Sequence, residues 1–434
     1  MKKTNGFAGL LMAAMLLLSG GAKAQASIPQ IVADTLRANH PAPYTNITKE
    51  AFDAQTEALT QNWDELEKQG EAGFALCRWV ASLKDEHTQL FDGAWYNVRT
   101  PYFVMAVEGK YVIVQGQECA KPYLGWTIAA IGDMTIEEVE TELSAYISFE
   151  TEGCRRTQTA RNLCMLALLR EIGATDSLDA VKVTLESPLD GEKQTVAFES
   201  LTEYAYGTST ILPLADTLLQ RGTYRATLAE AGTLFIQYNE CTNDENMPMK
   251  DFAAALAAQL TSAPEKIIVD LRHNGGGDSS VIQPLIQLLQ KYEEQGSRLF
   301  ALIGAGTFSS AVMNAEDLRE IGATLVGETT GGTIGFGELN AVNLKDTLYL
   351  MYSTKDFANG APHKPVEPDI LIPQTLSDFE KGVDTAVQAV LEIEKTKTHP
   401  FSFAAEGCVF YVWETVPSRL CGWSLEKKAG GFRT

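Results

Sequence analysis

At 434 residues, 45% of them hydrophobic, the chain is too long for one ordinary core, and two or three domains are expected. A formal charge of −21 argues against nucleic-acid binding, which wants basic patches, and mostly serves solubility. The seven cysteines form no C-x-x-C pair and the five histidines (His40, His87, His273, His363, His399) lie far apart, so no metal and no cofactor is expected.

The N-terminus carries Lys2 and Lys3, a short apolar run from Leu10 to Leu18, and Ala22-Lys23-Ala24. This reads as a signal peptide over residues 1–24, cut after Ala24, and as a secreted or periplasmic protein. No later run approaches the ~18 apolar residues of a membrane span.

Residues 25–98 show helical periodicity, as in "EAFDAQTEALTQNWDELEKQGEAGFALCRWVASL", and end in "LKDEHTQLFDG". Residues 99–205 are β-rich. "YFVMAVEGKYVIVQG" reads as two strands joined at Glu108-Gly109, and "VKVTLESPLDGEKQTVAF" as a hairpin turning at Asp190-Gly191. "LGWTIAAIGDMTIEEVETEL" reads as a strand, a turn and a helix with a Thr135/Glu138 capping box. A helical insertion surrounds "TQTARNLCMLALLREIG". From 226 to 393 strands and helices alternate, which means an α/β layered domain. Residues 394–434 form an extension of different composition, with two of the six tryptophans; Cys408 and Cys421 there either close a hairpin or belong to an appendage.

Within the α/β region, "IIVDLRHNGGGDSS" (267–280) runs a buried strand into three glycines. That is either a tight strand-to-helix turn or a backbone N–H cradle for a phosphate or an oxyanion. A nucleotide site is disfavoured, since no Gly-Lys-Ser/Thr follows and Asp278 repels phosphate. Ser309 and Ser310 stand where the next helix begins, placed either to cap it or to react.

Taken together, "DLRHNGGG", "GTFSSAVMNAEDLREIGATLVGETTGG" (306–332), "LKDEHTQL" (83–90) and "VEPDI" (366–370) resemble the C-terminal-processing, or tail-specific, serine peptidase family, with its tricorn-like and retinoid-binding-protein-like relatives. The resemblance runs from about residue 45 to 393. It implies an α/β (α+β) multidomain fold: a crotonase/ClpP-like α/β sandwich core, a small helical N-terminal region, and a PDZ-like domain over 99–205. It places the nucleophile at Ser309, and the oxyanion donors at Ser310 and at Gly275 or Gly276. The family's catalytic lysine has no counterpart, since Thr333 and Ile334 offer no amine, and Val312 stands where the family often has glutamate. His87 is therefore the candidate base, as in the tricorn-like branch, with Glu367 as third member; Asp369, Glu86 and Asp85 are the alternatives. Asp270 and Arg272 are expected to pair and hold the glycine loop. The implied function is a serine endopeptidase acting on polypeptides recognised by extended or C-terminal segments. The alternative is a non-catalytic peptide- or ligand-binding protein on the same scaffold.

Overall fold

Along the strand Lys266–Asp270 every residue is buried, and successive side chains part to opposite faces: Ile267 and Val269 enter one apolar cluster, Ile268 another. The strand Arg298–Ile303 repeats the division, with Leu299, Ala301 and Ile303 on the first face and Phe300 and Leu302 on the second. Helices Met249–Gln259, Gln283–Glu294 and Ser310–Glu320 cover the first face, and Thr385–Glu392 covers the second through Ala386, Val387 and Val390. In this computed structural model, which describes residues 26–202, 210–218, 222–228 and 232–393, the fold is α/β and multidomain. The readings for residues 1–24 and for 394–434, including the Cys408/Cys421 hairpin, lie outside the described residues.

The layered sheet has six strands, in the order Ile370–Leu371, Thr324–Gly327, Arg298–Ile303, Lys266–Asp270, Thr233–Tyr238, Tyr224–Leu228. All neighbours are parallel except the last pair. The loops leaving its parallel strands carry the glycine triplet, Ser309 and Glu328, so these residues gather at one edge of the sheet, where open α/β sheets place ligands.

A second sheet joins Tyr102–Val107, Lys110–Gly116, Thr127–Ile131, Ala180–Glu186 and Lys193–Glu199. Its hairpins turn at Glu108-Gly109 and beyond Glu186, in the registers Val107↔Lys110 and Glu186↔Lys193. Thr135 caps the helix Ile136–Ser144 reciprocally with Glu138, and both halves of the capping box are present. The insertion forms helices Glu152–Asn162 and Leu166–Glu171.

The largest element without a counterpart in the sequence reading is the hairpin Phe336–Lys345 and Leu348–Asp356. One of its strands pairs antiparallel with Gln89–Asp92, over 250 residues earlier in the chain, through Gln89↔Met351 and Leu90↔Leu350. Much of the first hairpin strand is exposed, so its pattern lacks the continuous apolar run that announces a core strand. The N-terminal region itself is three helices: Ile28–Asn39, Lys49–Gln69 and Ala72–Ala81. No helix among the described residues is long and apolar enough to cross a membrane.

Leu325 lies fully buried on the helix-covered face of the six-stranded sheet, whereas Leu189 is 94% exposed. Leu325→Ala is expected to cost about 2–5 kcal/mol in chemical denaturation. Leu189→Ala should stay within about 0.5 kcal/mol of wild type.

Candidate active site

The glycine triplet and Ser309 meet at close quarters. Ser309 has φ +56° and ψ −128°, a backbone conformation that side chains rarely adopt and that costs of order 1–3 kcal/mol. It holds the N-cap position of the helix Ser310–Glu320, yet its side chain makes no capping hydrogen bond. Capping therefore does not explain this serine. The Ser310 hydroxyl is committed elsewhere, donating to Gly277 O at 2.6 Å. Of the two adjacent serines, Ser309 keeps its hydroxyl free of these ties and partly exposed.

Gly276 is where the glycine requirement is sharpest. Its φ is +98°, and a Cβ there would lie 2.6 Å from Ser309 Cβ and 3.1 Å from Ser309 Oγ. The loop is braced by Asn274, which is fully buried. Asn274 Oδ1 accepts the Gly276 N–H at 2.9 Å, its Nδ2 donates to Tyr238 O at 3.0 Å, and its carbonyl accepts the Phe308 N–H at 2.9 Å. The Gly276 N–H is thus engaged. Of the three expected oxyanion donors, Gly275 and Ser310, whose N–H opens a helix, have no protein partner among the described hydrogen bonds. The expected Asp270–Arg272 pair is present and extends to a third residue. Arg272 Nη2 lies 2.7 Å from both Asp270 Oδ2 and Asp384 Oδ2, which ties the strand end to the cap of the last helix.

His87 arrives from the other side of the molecule. Its ring is buried and packs against Phe308, centroids 4.7 Å apart, immediately before Ser309 in the chain. Neither ring nitrogen has a hydrogen-bond partner, so no bond joins His87 to Ser309 or to a carboxylate in this arrangement. Burial lowers the His87 pKa, with Asp85 opposing, and the imidazole is kept in its neutral, proton-accepting form. Asp85 holds the segment by its backbone, accepting the His87 N–H at 2.9 Å. It also accepts His40 Nε2 at 2.9 Å, the Thr88 hydroxyl at 2.5 Å and the Ser353 hydroxyl at 2.7 Å. Burial opposes the Asp85 charge, but these donors outweigh it and its pKa falls. The Ala42 N–H donates to His40 Nδ1 at 3.1 Å, which leaves the proton on Nε2, facing Asp85.

Glu367 is not brought to the imidazole. It is exposed, its Oε2 accepts the Thr329 hydroxyl at 2.5 Å, and its carbonyl accepts from Arg319. Asp369 binds Arg319 and the Leu325 N–H, a structural role. Thr333 donates to two carboxylates, Glu86 and Glu150, and Glu150 is bonded in turn to His363. Neither Glu150 nor Ser353 is singled out by the sequence, and His363 is named there only as one of five scattered histidines. None sits in a local motif: Ser353 lies on the hairpin strand that pairs with Gln89–Asp92, and His363 lies beside the short pairing of Thr333–Ile334 with Lys364–Pro365.

The chain is similar in structure to mature CPAF, with a TM-score of 0.60 over 85% of this chain and 95% of that one at 12% identity. A structure of mature CPAF complexed with lactacystin gives the same score and identity, covering 85% and 97%. The photosystem II D1 C-terminal processing protease overlays with a TM-score of 0.42 and 13% identity, covering 83% and 97%. No family model and no curated protein sequence matches the chain. At these identities the likeness to CPAF shows a common fold.

Asn274→Ala is expected to cost about 1–3 kcal/mol in thermal unfolding, because it strands buried backbone groups of the glycine loop. Gly276→Ala should destabilise by at least about 1 kcal/mol by the same measurement, since both its φ and the Ser309 contact exclude a methyl group.

Proposed function

We propose that the protein is a serine peptidase in which Ser309 attacks a peptide carbonyl and His87 takes its proton. The observation that carries this reading is the Ser309 turn: a strained, uncapped serine at a strand-to-helix junction, pressed against a glycine loop. Such a turn exposes Oγ and directs backbone N–H groups at the reacting carbon. The Ser310 and Gly275 N–H groups would receive the oxyanion, with Gly276 serving as the close-packed glycine that lets Ser309 sit there. His87 is buried, neutral and one residue's contact away, through Phe308. Reaction requires the imidazole to turn from Phe308 toward Oγ, to roughly 2.6–3.2 Å, and resting sites are often looser than reacting ones. Among the candidate carboxylates, Asp85 touches the His87 segment and takes the positioning role in this reading. Glu367 stands at the surface beside Thr329.

The substrates in this reading are polypeptides, bound in extended form against the β-rich region, whose PDZ-like character belongs to the same proposal. The leader at residues 1–24 would place them outside the cytoplasm. One observation favours the second reading, a binding protein on this scaffold: neither His87 nitrogen is hydrogen-bonded to anything.

Labelling with a fluorophosphonate serine-hydrolase probe separates the two. The wild type and Ser310→Ala should both label, with Ser310→Ala slower. Ser309→Ala should lose all labelling, and His87→Ala should label at least ~10²-fold more slowly, the scale of a lost general base. Asp85→Asn should slow labelling more than Glu367→Gln does. Labelling retained in Ser309→Ala would sink the assignment, and a folded wild type that takes no label would support the binding reading. Because burial lowers the His87 pKa, the acid limb of the labelling rate should lie below the ordinary histidine midpoint of about 6.5.

A further inference from the structure

Thr333 is reached by two carboxylates from separate parts of the chain. Its N–H donates to Glu86 Oε1 at 2.7 Å, and its hydroxyl donates to Glu150 Oε2 at 2.7 Å while lying 3.3 Å from Glu86 Oε1. The second Glu86 oxygen is buried and has no partner. Behind Glu150 stands His363, whose Nδ1 lies 3.2 Å from the carboxylate and whose Nε2 is 3.5 Å from Asp356.

The two residues before Thr333 form the floor of the serine turn. The Gly332 N–H donates to Thr307 O at 3.0 Å, and a Cβ on Gly332 would come within 3.0 Å of Ser309 N. A Cβ on Gly331 would strike Ala305 O at 2.0 Å. The chain leading into Thr333 therefore packs directly against the backbone that carries Ser309, and Glu86 is the residue next to His87. Thr151 also grips this floor from the helical insertion, its hydroxyl donating to Gly331 O at 2.5 Å.

We propose that Glu86 is a positioning residue: through Thr333 it sets the loop beneath Ser309 relative to the His87 segment, and its shared hold on Thr333 with Glu150 makes serine reactivity fall at alkaline pH. This rests on the reading of Ser309 as the reactive serine.

The physical reason is a proton count. The Thr333 N–H serves Glu86 and its hydroxyl serves Glu150, but two buried like charges meeting at one threonine repel, so one of the acids holds a proton. Burial first, then the charge of Glu150, pushes the Glu86 pKa up to about 8. Burial also raises Glu150, but Thr333 and His363 hold it back. The other groups facing Glu86 are Asp85, whose charge raises it further, and Cys154, which burial keeps as a thiol. At neutral pH Glu86 is the acid of the pair. Above pH 8 it ionises, two carboxylates bear on Thr333, and the floor under Ser309 loses its hold.

The sign of the stability effect follows. A carboxyl whose folded pKa is raised contributes stability that is complete below its unfolded value, about 4.3, and is lost as pH rises through about 8. Glu86→Gln removes that loss.

The experiment uses the full chain, with fluorophosphonate labelling rates and thermal melting measured from pH 5 to 9.5 for wild type, Glu86→Gln and Glu86→Ala. Wild-type labelling is expected to slow at least ~5-fold across pH 8, and Glu86→Gln should lack that decline. Glu86→Ala, which leaves the Thr333 N–H without an acceptor, should label ~10-fold more slowly than Glu86→Gln at pH 7. The melting temperature of Glu86→Gln should rise relative to wild type from pH 5 to 8 and then hold level. If wild type labels with an alkaline profile that Glu86→Gln leaves intact, or the melting difference is independent of pH, the Glu86 proposal is overturned and the Ser309 reading stands. A wild type that takes no label at any pH removes the Ser309 reading and this proposal together.

Discussion

Asp85 is a carboxylate almost without water contact that gathers four donors from three distant stretches of chain: His40, the turn at 87–88, and Ser353. Burial alone would keep it neutral; the donors make its charge tolerable, and the arrangement then depends on all of them. Removing one of these donors costs about 1–3 kcal/mol, so each contributes to holding the knot together. Its consequence is geometric. It fixes the end of the N-terminal helices to the hairpin Phe336–Asp356, aligns Gln89–Asp92 along that hairpin, and delivers His87 to the loop that carries Ser309.

The opposite half of the site depends on a backbone constraint. Ser309 holds a left-handed φ because three close packings leave it no alternative: Gly276 on one side, Gly332 beneath, and the helix that starts at Ser310. Glycine is required at 276 for space as well as for its φ of +98°, and at 332 for space, since side chains there would occupy the volume of Phe308 and Ser309. Asn274 and the Arg272 fork then lock the strand end from which the glycine loop leaves. A rigid sheet thus carries a strained turn, the arrangement that the proposed role of Ser309 as nucleophile requires.

What the sequence made legible was local. The buried run Lys266–Asp270, the turns at Glu108-Gly109 and Asp190-Gly191, and the Thr135/Glu138 box are each set by residues within a few positions of one another, and each is present. So is the Asp270–Arg272 pair. The hairpin Phe336–Asp356 was not legible, because it is half exposed and its partner strand lies at the other end of the chain. Glu150, His363 and Ser353 were hidden likewise, because each bonds a residue far from it in the chain. Glu367 shows the reverse case: a motif places it in the right region of sequence, but the fold turns its carboxylate to Thr329 at the surface. Likewise the glycine run was readable as a cradle, while the commitment of the Gly276 N–H to Asn274 needed coordinates.

The central claim is that Ser309 and His87 act on one another although the resting imidazole packs on Phe308. The most direct measurement is a crystal structure of the protein after reaction with a fluorophosphonate, read at the distance from His87 Nε2 to the serine oxygen. The account predicts phosphorus bonded to Ser309 Oγ, His87 turned off Phe308 to within roughly 3.2 Å of the adduct oxygens, and the phosphoryl oxygen held by the Ser310 and Gly275 N–H groups. An adduct on any other residue, or one on Ser309 with His87 still stacked on Phe308 and out of hydrogen-bond reach, would contradict it.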